Sequence, residues 1–245
     1  MNNLKGVGVA LVTPFNEDLS VDFDSLTRLI EYNIENGTNY LVVLGTTAEA
    51  ATLSKEEKKE VIKHVIKINS KRLPLVLGIG GNNTLEVKKQ IEETDLSDFD
   101  AVLSVSPYYN KPNQEGLYQH YKALAETGKQ IIIYNVPGRT GQNIEAATTV
   151  RLAKEFPNLF MIKEACPNIN QYFDILRTKP EGFSLVSGDD EYALPVTLAG
   201  GDGVISVIGQ GYPKEFSTML QLAFEGKVKE AYEIHNKLVE ITRLI

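Results

Sequence analysis

One lysine has an unusual setting, because Lys163 closes the short apolar segment Phe160-Met161-Ile162. Burial disfavours the charged form of a lysine and lowers its pKa. A neutral amine is the nucleophile that forms a Schiff base with a carbonyl substrate. A solitary lysine at the end of a strand more commonly extends past apolar surface to water. The functional interpretation of Lys163 therefore depends on which residues accompany it.

Four other polar segments also follow predicted strands. They are Gly45-Thr46-Thr47-Ala48-Glu49, Pro107-Tyr108-Tyr109-Asn110-Lys111-Pro112, Tyr134-Asn135-Val136-Pro137-Gly138-Arg139-Thr140 and Ser187-Gly188-Asp189-Asp190. Each segment alone is typical of an ordinary turn, a loop or an aromatic patch. In a (β/α)8 barrel, however, the active site forms at the carboxyl ends of the strands. Four such segments together with a lysine on one rim indicate an active site.

The residue types on this rim suit one kind of chemistry. Lys163 is a nucleophile towards a ketone. The backbone N–H groups and hydroxyls of Thr46 and Thr47 suit a carboxylate, and tyrosines can carry protons to and from an imine. Arg139 has a planar guanidinium that binds a second carboxylate through two hydrogen bonds.

The elements that must position these groups are eight short apolar segments that alternate with helical patterns. The predicted strands are Gly6–Val12, Tyr40–Leu44, Leu73–Gly78, Ala101–Ser106, Gln130–Asn135, Leu159–Lys163, Phe183–Ser187 and Gly203–Val207. Most are continuous apolar runs, which are typical of parallel strands that are covered on both faces. Eight βα units in series predict an α/β fold, the closed (β/α)8 TIM barrel.

Helices are predicted between the strands from apolar periodicity and from capping residues. Asp22–Glu35 has a helical apolar stripe, and Ser54-Lys55-Glu56-Glu57 reads as a capping box. Further helices are expected to start near Thr84, Gln114, Asn143 and Asn168, and to occupy residues 190–199, 213–225 and 228–244.

Composition excludes several classes of function. A length of 245 residues fits one barrel, and the net charge of −7 argues against a nucleic-acid partner. Cys166 is the only cysteine, so neither an intrachain disulfide nor a CxxC metal site can form. No apolar run is long enough for a membrane span, so a cytoplasmic protein is expected. His64, His120 and His235 fall in separate helical patterns and are expected at the surface or at an interface, without a metal.

The segment Ala199-Gly200-Gly201-Asp202-Gly203 offers an alternative interpretation. Barrels often bind phosphate near their seventh and eighth units, so a phosphorylated substrate stays open at this point. A metal-dependent barrel enzyme is less favoured, because the histidines do not cluster.

The rim segments, with Ile162-Lys163-Glu164-Ala165 and Gly203-Val204-Ile205-Ser206-Val207, carry a specific resemblance. From Gly6 to about Ile241 the sequence resembles the pyruvate-dependent class I aldolase family of dihydrodipicolinate synthase and N-acetylneuraminate lyase. The segment Pro137-Gly138-Arg139-Thr140 favours the synthase branch. The resemblance implies condensation of pyruvate with L-aspartate-4-semialdehyde in the diaminopimelate route to lysine, without a cofactor.

The resemblance also implies roles for catalytic residues. Lys163 would form the Schiff base with pyruvate. Tyr134 would relay protons during imine formation and cyclisation, in a chain of hydroxyls with Thr46 and Tyr109. In the family this second tyrosine reaches the site from a neighbouring subunit, so a homo-oligomer, a dimer or a tetramer, is implied.

Substrate-binding roles follow from the same resemblance. Thr46 and Thr47 would hold the carboxylate of pyruvate, and Arg139 that of aspartate semialdehyde. Gly188 and Ile205 would line the pocket near the lysine.

The sequence departs from the family pattern at two places. Ala48 stands where the family has glycine, and residues 226–245 correspond to a remnant of a C-terminal helical region that follows a catalytic barrel of residues 1–225. Two alternatives therefore stay open: another pyruvate or 2-keto-acid aldolase of the family, and a shortened, weakly active form that binds pyruvate.

Feedback inhibition by lysine is expected to be weak or absent. The resemblance places the allosteric cleft of inhibited members near Ala50, Asn82, Glu86 and Tyr108, with a histidine or an acidic residue early in the second helix. Here the matching positions are Lys55 and Lys58, and these cations would repel the lysine ammonium.

Overall fold

Eight parallel strands close into a barrel in the computed structural model, which describes residues 4–244. The strands are β1 (Gly6–Ala10), β2 (Tyr40–Val43), β3 (Leu75–Gly78), β4 (Ala101–Val105), β5 (Ile131–Asn135), β6 (Leu159–Glu164), β7 (Ser184–Ser187) and β8 (Gly203–Ser206). Each strand pairs with the next in sequence, and β8 pairs with β1. The predicted (β/α)8 barrel is confirmed, and all eight predicted strands are present with ends that differ by no more than two residues.

The helices of the described chain alternate with these strands. They are α1 (Phe23–Glu35), α2 (Lys55–Asn69), α3 (Thr84–Glu93), α4 (Gln114–Ala125), α5 (Pro137–Thr140), α6 (Ala146–Glu155), α7 (Ile169–Thr178), α8 (Ala193–Leu198), α9 (Pro213–Phe224) and α10 (Val228–Thr242). Two short 3-10 turns, Thr46–Ala48 and Ile208–Gln210, follow β2 and β8.

The strands are apolar throughout because both of their faces are buried. Successive side chains point to opposite faces of a strand, so alternate residues fill either the barrel interior or the layer beneath the helices. The interior contains Tyr40, Val42, Leu103, Ile132, Tyr134, Met161, Val186 and Ile205. The layer between strands and helices contains Leu41, Val43, Val102, Ile131, Ile133, Ile162 and Leu185, which pack against residues such as Leu26, Leu117 and Leu220.

Most helix starts agree with the prediction. Ser54 makes the complete capping box with Glu57, and Asn168 caps α7. The expected start at Asn143 is wrong, because α6 begins at Ala146. Asn143 instead donates from its amide to Gln171 Oε1 (2.7 Å), so its side chain belongs to a network between elements.

Two of the three histidines, which were expected at the surface or at an interface, lie away from the surface. His120 and His235 are both buried, and His120 Nδ1 lies 2.8 Å from the hydroxyl of Thr84. Burial lowers the pKa of His120 to about 4. These histidines therefore pack between neighbouring helices. The apolar pattern of a helix does not predict that a histidine within it is buried.

The helix α10 packs on α8 and α9 through Ala231, His235 and Leu238. Arg243, just beyond it, pairs with Glu191 at 2.6 Å. The division into residues 1–225 and 226–245 stays a prediction, since this packing joins the last helix to the barrel layer.

The glycine-rich segment 199–203 lies before β8, at the amino ends of the strands. Asp202 accepts a hydrogen bond from Leu185 N (3.0 Å) and Gly6 N donates to the Asp202 carbonyl (2.8 Å), so the segment joins β7, β8 and β1. The predicted phosphate site is in the wrong place, because this segment lies on the rim opposite to Lys163. The charged side chain that it contributes is the carboxylate of Asp202. Across residues 4–244, no helix has the length and apolar character that a membrane crossing requires.

Candidate active site

Lys163 lies near the carboxyl end of β6, with only 3% of its surface exposed. Its side chain enters the barrel interior, on the same strand face as Met161 two residues earlier. Tyr134 on β5 is its register partner, and the lysine Nζ lies 4.4 Å from the centre of the Tyr134 ring. The lysine is therefore held inside the barrel and does not extend past the rim to water.

The hydroxyl of Tyr134 lies 3.3 Å from Thr46 Oγ1. Thr46 and Thr47 are half-buried in the 3-10 turn that follows β2. The geometry thus joins two groups of the predicted hydroxyl chain directly beside Lys163.

Alanine fits this turn without strain. The positive φ angles near it belong to Leu44 (55°) and Glu49 (53°), and Ala48 is not among the residues with a positive φ. Its carbonyl accepts a hydrogen bond from Thr13 Oγ1 at 2.8 Å. Ala48 therefore occupies its place in the turn without backbone strain.

Gly188 packs against the lysine from the end of β7. Its N–H donates to the Glu164 carbonyl at 2.6 Å. A methyl group on its Cα would lie 2.9 Å from Lys163 Cε, closer than van der Waals contact allows. Ile205 on β8 is buried in the barrel interior. The structure thus places Gly188 next to the lysine side chain, and Ile205 in the barrel interior.

Arg139 lies in the four-residue helix α5, immediately after β5, with its side chain exposed. The helix begins at Pro137, whose fixed φ suits a first helical position, and ends at Gly141, which has a φ of 71°. Thr140 anchors it through a hydrogen bond from its hydroxyl to the Gln142 carbonyl (2.8 Å). Arg139 therefore lies on the rim near β5, farther into solvent than Lys163.

Tyr109 is the one predicted catalytic residue that stands apart from the others. It is 89% exposed, with a φ of 72°, in the loop after β4. Within residues 4–244 its hydroxyl makes no hydrogen bond to Thr46 or Tyr134. Asn110, the next residue, donates to the Asn82 carbonyl (3.0 Å), which joins this loop to the loop after β3.

Two buried carboxylates were not singled out by the sequence analysis. Glu164, next to Lys163, is fully buried behind the barrel wall, and burial raises its pKa to about 7. Asp190 accepts hydrogen bonds through Oδ2 from Val207 N (3.1 Å) and Ile208 N (3.0 Å), which tie the β7 loop to the end of β8. Burial raises the pKa of Asp190, and the hydrogen bonds from Ile208 N and Val207 N oppose that rise.

A signal for these carboxylates was present in the sequence, because an acidic residue inside or just after an apolar strand must find polar partners. In the part of the chain that the structure describes, three or more His, Cys, Asp or Glu side chains do not gather in a way that suits a metal ion. The site thus consists of the buried Lys163 amine beside the hydroxyls of Tyr134 and Thr46, with the Arg139 guanidinium on the rim.

Comparison with known proteins agrees with this geometry. The model of the family described as the dihydrodipicolinate synthetase family matches residues 3–245. A 4-hydroxy-tetrahydrodipicolinate synthase of Flavobacterium psychrophilum is 56% identical over 241 residues, which are 98% of this chain and 82% of the relative.

Solved structures give the same result. The dihydrodipicolinate synthase of Thermotoga maritima superposes with a TM-score of 0.95 at 39% identity, covering 99% of this chain and 83% of that one. The chloride-inhibited dihydrodipicolinate synthase of Acinetobacter baumannii, solved in complex with pyruvate, has a TM-score of 0.94 at 43% identity, covering 98% of this chain and 82% of that one.

Proposed function

The chain belongs to the dihydrodipicolinate synthetase family, and from that premise we propose which of its residues carry the reaction. Its activity is that of a 4-hydroxy-tetrahydrodipicolinate synthase, a Schiff-base lyase of lysine and diaminopimelate biosynthesis. The substrates that follow from the family are pyruvate and L-aspartate-4-semialdehyde. A cytoplasmic location is part of the proposal, supported by the biosynthetic role of the bacterial relatives.

Lys163 is the imine-forming lysine of this proposal. The observation that carries it is the burial of Lys163 in the barrel interior, with its amine above the Tyr134 ring. The amine attacks the keto carbon of pyruvate, and loss of water leaves a protonated imine. That cation withdraws electrons from the neighbouring methyl group, so a proton leaves and the resulting enamine attacks the aldehyde carbon. The lysine itself activates the ketone, so the proposal requires no cofactor.

Tyr134 and Thr46 are proposed to move the protons. Loss of water from the first adduct requires a proton for the departing hydroxyl, and a phenol beside the amine supplies it. The contact of 3.3 Å between the Tyr134 hydroxyl and Thr46 Oγ1 supports a path by which Tyr134 regains a proton from the rim.

The carboxylates of the two substrates are assigned to different residues. Thr46 and Thr47 lie in the turn after β2, where Thr46 contacts Tyr134, and they take the carboxylate of pyruvate. Arg139 is farther out on the rim and takes that of aspartate semialdehyde through its guanidinium. Gly188 and Ile205 shape the pocket around the imine, and the small size of Gly188 leaves room for the lysine side chain.

A homo-oligomer completes the site in this proposal. Tyr109 points into solvent in the isolated chain beside the exposed Tyr108, and an exposed aromatic pair of this kind favours an interface. Its hydroxyl would join Thr46 and Tyr134 of a neighbouring subunit. A dimer is the smallest assembly that provides this contact.

Reductive trapping tests the proposal. Pyruvate with borohydride should add one lactyl-type group per chain, located on Lys163 by peptide mass spectrometry, and Lys163→Ala should abolish the adduct. Persistent labelling in that variant would refute the assignment. A panel of aldehydes and 2-keto acids in the turnover assay separates the proposed activity from another aldolase of the family. An adduct without turnover of any aldehyde would instead support the weakly active, pyruvate-binding form.

A further inference from the structure

The strand that carries Lys163 also carries a buried carboxylate on its opposite face. Glu164 is 0% exposed, and its register partner on β5 is Asn135, just as Tyr134 is the partner of Lys163. Because side chains alternate along a strand, one cross-strand pair faces the barrel interior while the next pair faces the helices. The reactive pair and the carboxylate–amide pair therefore lie back to back at the same point of the barrel wall.

The carboxylate of Glu164 is surrounded by hydrogen-bond donors. Oε1 accepts from Asn135 Nδ2 (2.8 Å) and from Cys166 N (2.8 Å), and Oε2 accepts from Gln171 Nε2 (2.9 Å). All three donors are neutral, and the side chain has no cationic partner within the described residues. Such a set of donors favours the ionised carboxylate, which accepts at every position.

The donors are themselves oriented by a closed network. Asn143 Nδ2 donates to Gln171 Oε1 (2.7 Å), and Asn143 Oδ1 accepts from both Asn135 Nδ2 (2.8 Å) and Gln171 Nε2 (3.2 Å). Asn135 Oδ1 accepts from Ile144 N (3.0 Å). Each amide therefore has only one orientation that satisfies its neighbours, and the donors aimed at Glu164 cannot be reversed without loss of another bond.

The backbone of Glu164 is fixed as firmly as its side chain. Its carbonyl accepts from Gly188 N (2.6 Å) and from the Tyr172 hydroxyl (2.7 Å). Glu164 directly follows Lys163 in the chain. The elements β5, β7 and α7 therefore all hold the strand at the base of the lysine side chain.

We propose that Glu164 is a positioning residue for imine formation, which locks the end of β6 so that the Lys163 amine lies over Tyr134 and which places a fixed negative charge behind the developing iminium. The inference rests on the proposed role of Lys163. Glu164 does not touch the substrate, since it lies outside the barrel wall, and it acts through the strand and through its charge.

The variant Glu164→Gln tests both parts of this role, because it keeps the shape and removes the charge. Its new amide must direct an N–H group at Gln171 Nε2, at Asn135 Nδ2 or at Cys166 N, each of which is a donor. The network of oriented amides cannot accommodate two donors that face each other, so the end of β6 loses a hydrogen bond and shifts.

The measurement is the rate of imine formation at saturating pyruvate, from borohydride quenching at successive times. At pH 8 we expect Glu164→Gln to form the adduct at least about tenfold more slowly than the parent, with the same final stoichiometry. Ile175→Val is the matched control, since it removes one buried methyl group from α7 and no hydrogen bond of Glu164, and it should keep the parental rate.

A pH series separates positioning by the charged carboxylate from a general loss of stability. The titratable groups around Glu164 are Lys163, Cys166, Tyr121 and Tyr172; burial raises the pKa of Cys166 and of both tyrosines, so these three stay neutral from pH 6 to 8. Lys163 is common to parent and variant. Protonation of Glu164 below about pH 7 should therefore shrink the ratio of the parental rate to the Glu164→Gln rate as the pH falls from 8 to 6.

Gln171→Met provides a second variant that keeps the charge of Glu164; it removes the donor to Oε2 and the hydrogen bonds of Gln171 to Asn143 and to the Ile144 carbonyl. It should slow imine formation less than Glu164→Gln does. Equal rates for the parent and for Glu164→Gln, or a ratio independent of pH, would overturn the inference while leaving Lys163 as the imine lysine. Absence of any adduct in the parent would instead refute the proposed function.

Discussion

The substitution Gly188→Ala is a direct test of how closely β7 confines the lysine. The added methyl group would lie 2.7 Å from Ala165 Cβ, 2.9 Å from Lys163 Cε and 3.1 Å from the Glu164 carbonyl oxygen. Ordinary contact begins at 3.4 Å, so the three distances fall short by about 0.7, 0.5 and 0.3 Å. Gly188 does not have a positive φ, so the effect is one of space and not of backbone conformation.

The neighbours differ in how easily they move. Ala165 Cβ and the Glu164 carbonyl are attached to the backbone, whereas Lys163 Cε is near the end of a flexible chain. The lysine is therefore displaced first, and the Gly188 N–H bond to Glu164 lengthens. Overpacking of this kind costs about 1–3 kcal/mol of folding free energy. A misplacement approaching 1 Å costs up to about a hundredfold in rate, so we expect kcat/KM for pyruvate to fall about 10- to 100-fold.

Gly138→Ala is the matched control. It lies on the same rim, in α5, and a methyl group there meets no atom within 4 Å. Thermal unfolding measures the stability of both variants, and borohydride quenching measures the rate of adduct formation. An adduct rate within twofold of the parent in Gly188→Ala, with the fold intact, would refute the reasoning.

Three further predictions concern groups on the rim. Arg139→Ala removes a charged hydrogen-bonding partner, which costs about 1.5–3 kcal/mol; kcat/KM for aspartate semialdehyde should fall at least about tenfold while pyruvate trapping stays near normal, and an equal loss of trapping would contradict the assignment. Added lysine should leave the initial rate unchanged, because Lys55 and Lys58 in the first turns of α2 repel its ammonium group; clear inhibition at submillimolar lysine would show this to be wrong. Mixing Tyr109→Phe with Lys163→Ala under conditions that exchange subunits should restore activity, since one site of a hybrid dimer keeps Lys163 and the partner's tyrosine. Verified exchange without recovery would place Tyr109 outside the reaction or within its own chain.

The barrel could be predicted because its strands have an unusually clear sequence pattern. Runs such as Ile131-Ile132-Ile133 are apolar at every position, which requires burial on both faces. The rim of a barrel then follows from the direction of the strands alone, so residues far apart in sequence, such as Thr46 and Tyr134, were expected together and lie 3.3 Å apart. Helix ends were harder to predict where a residue of a type that often caps helices makes other hydrogen bonds instead, as Asn143 does.

What the sequence did not reveal is the polar layer between strands and helices. Asn135, Asn143 and Gln171 occur at positions that local patterns assign to a strand end, a cap and a helix face. Their amides meet only because β5, the loop before α6 and the first turn of α7 converge around Glu164. Such convergence depends on the packing of three elements, so the residue spacing within any one of them does not predict it.

This layer also explains why a charged residue is tolerated next to the site. An isolated buried carboxylate is costly, and the rise in the pKa of Glu164 has burial as its main cause. Three N–H donors oppose that rise. Because Lys163 and Glu164 are consecutive, any movement of the β6 backbone that would carry Lys163 out of position must also pull the carboxylate away from these donors. The lysine is thus restrained by bonds that its own side chain does not make, and it keeps its amine available for the carbonyl of the substrate.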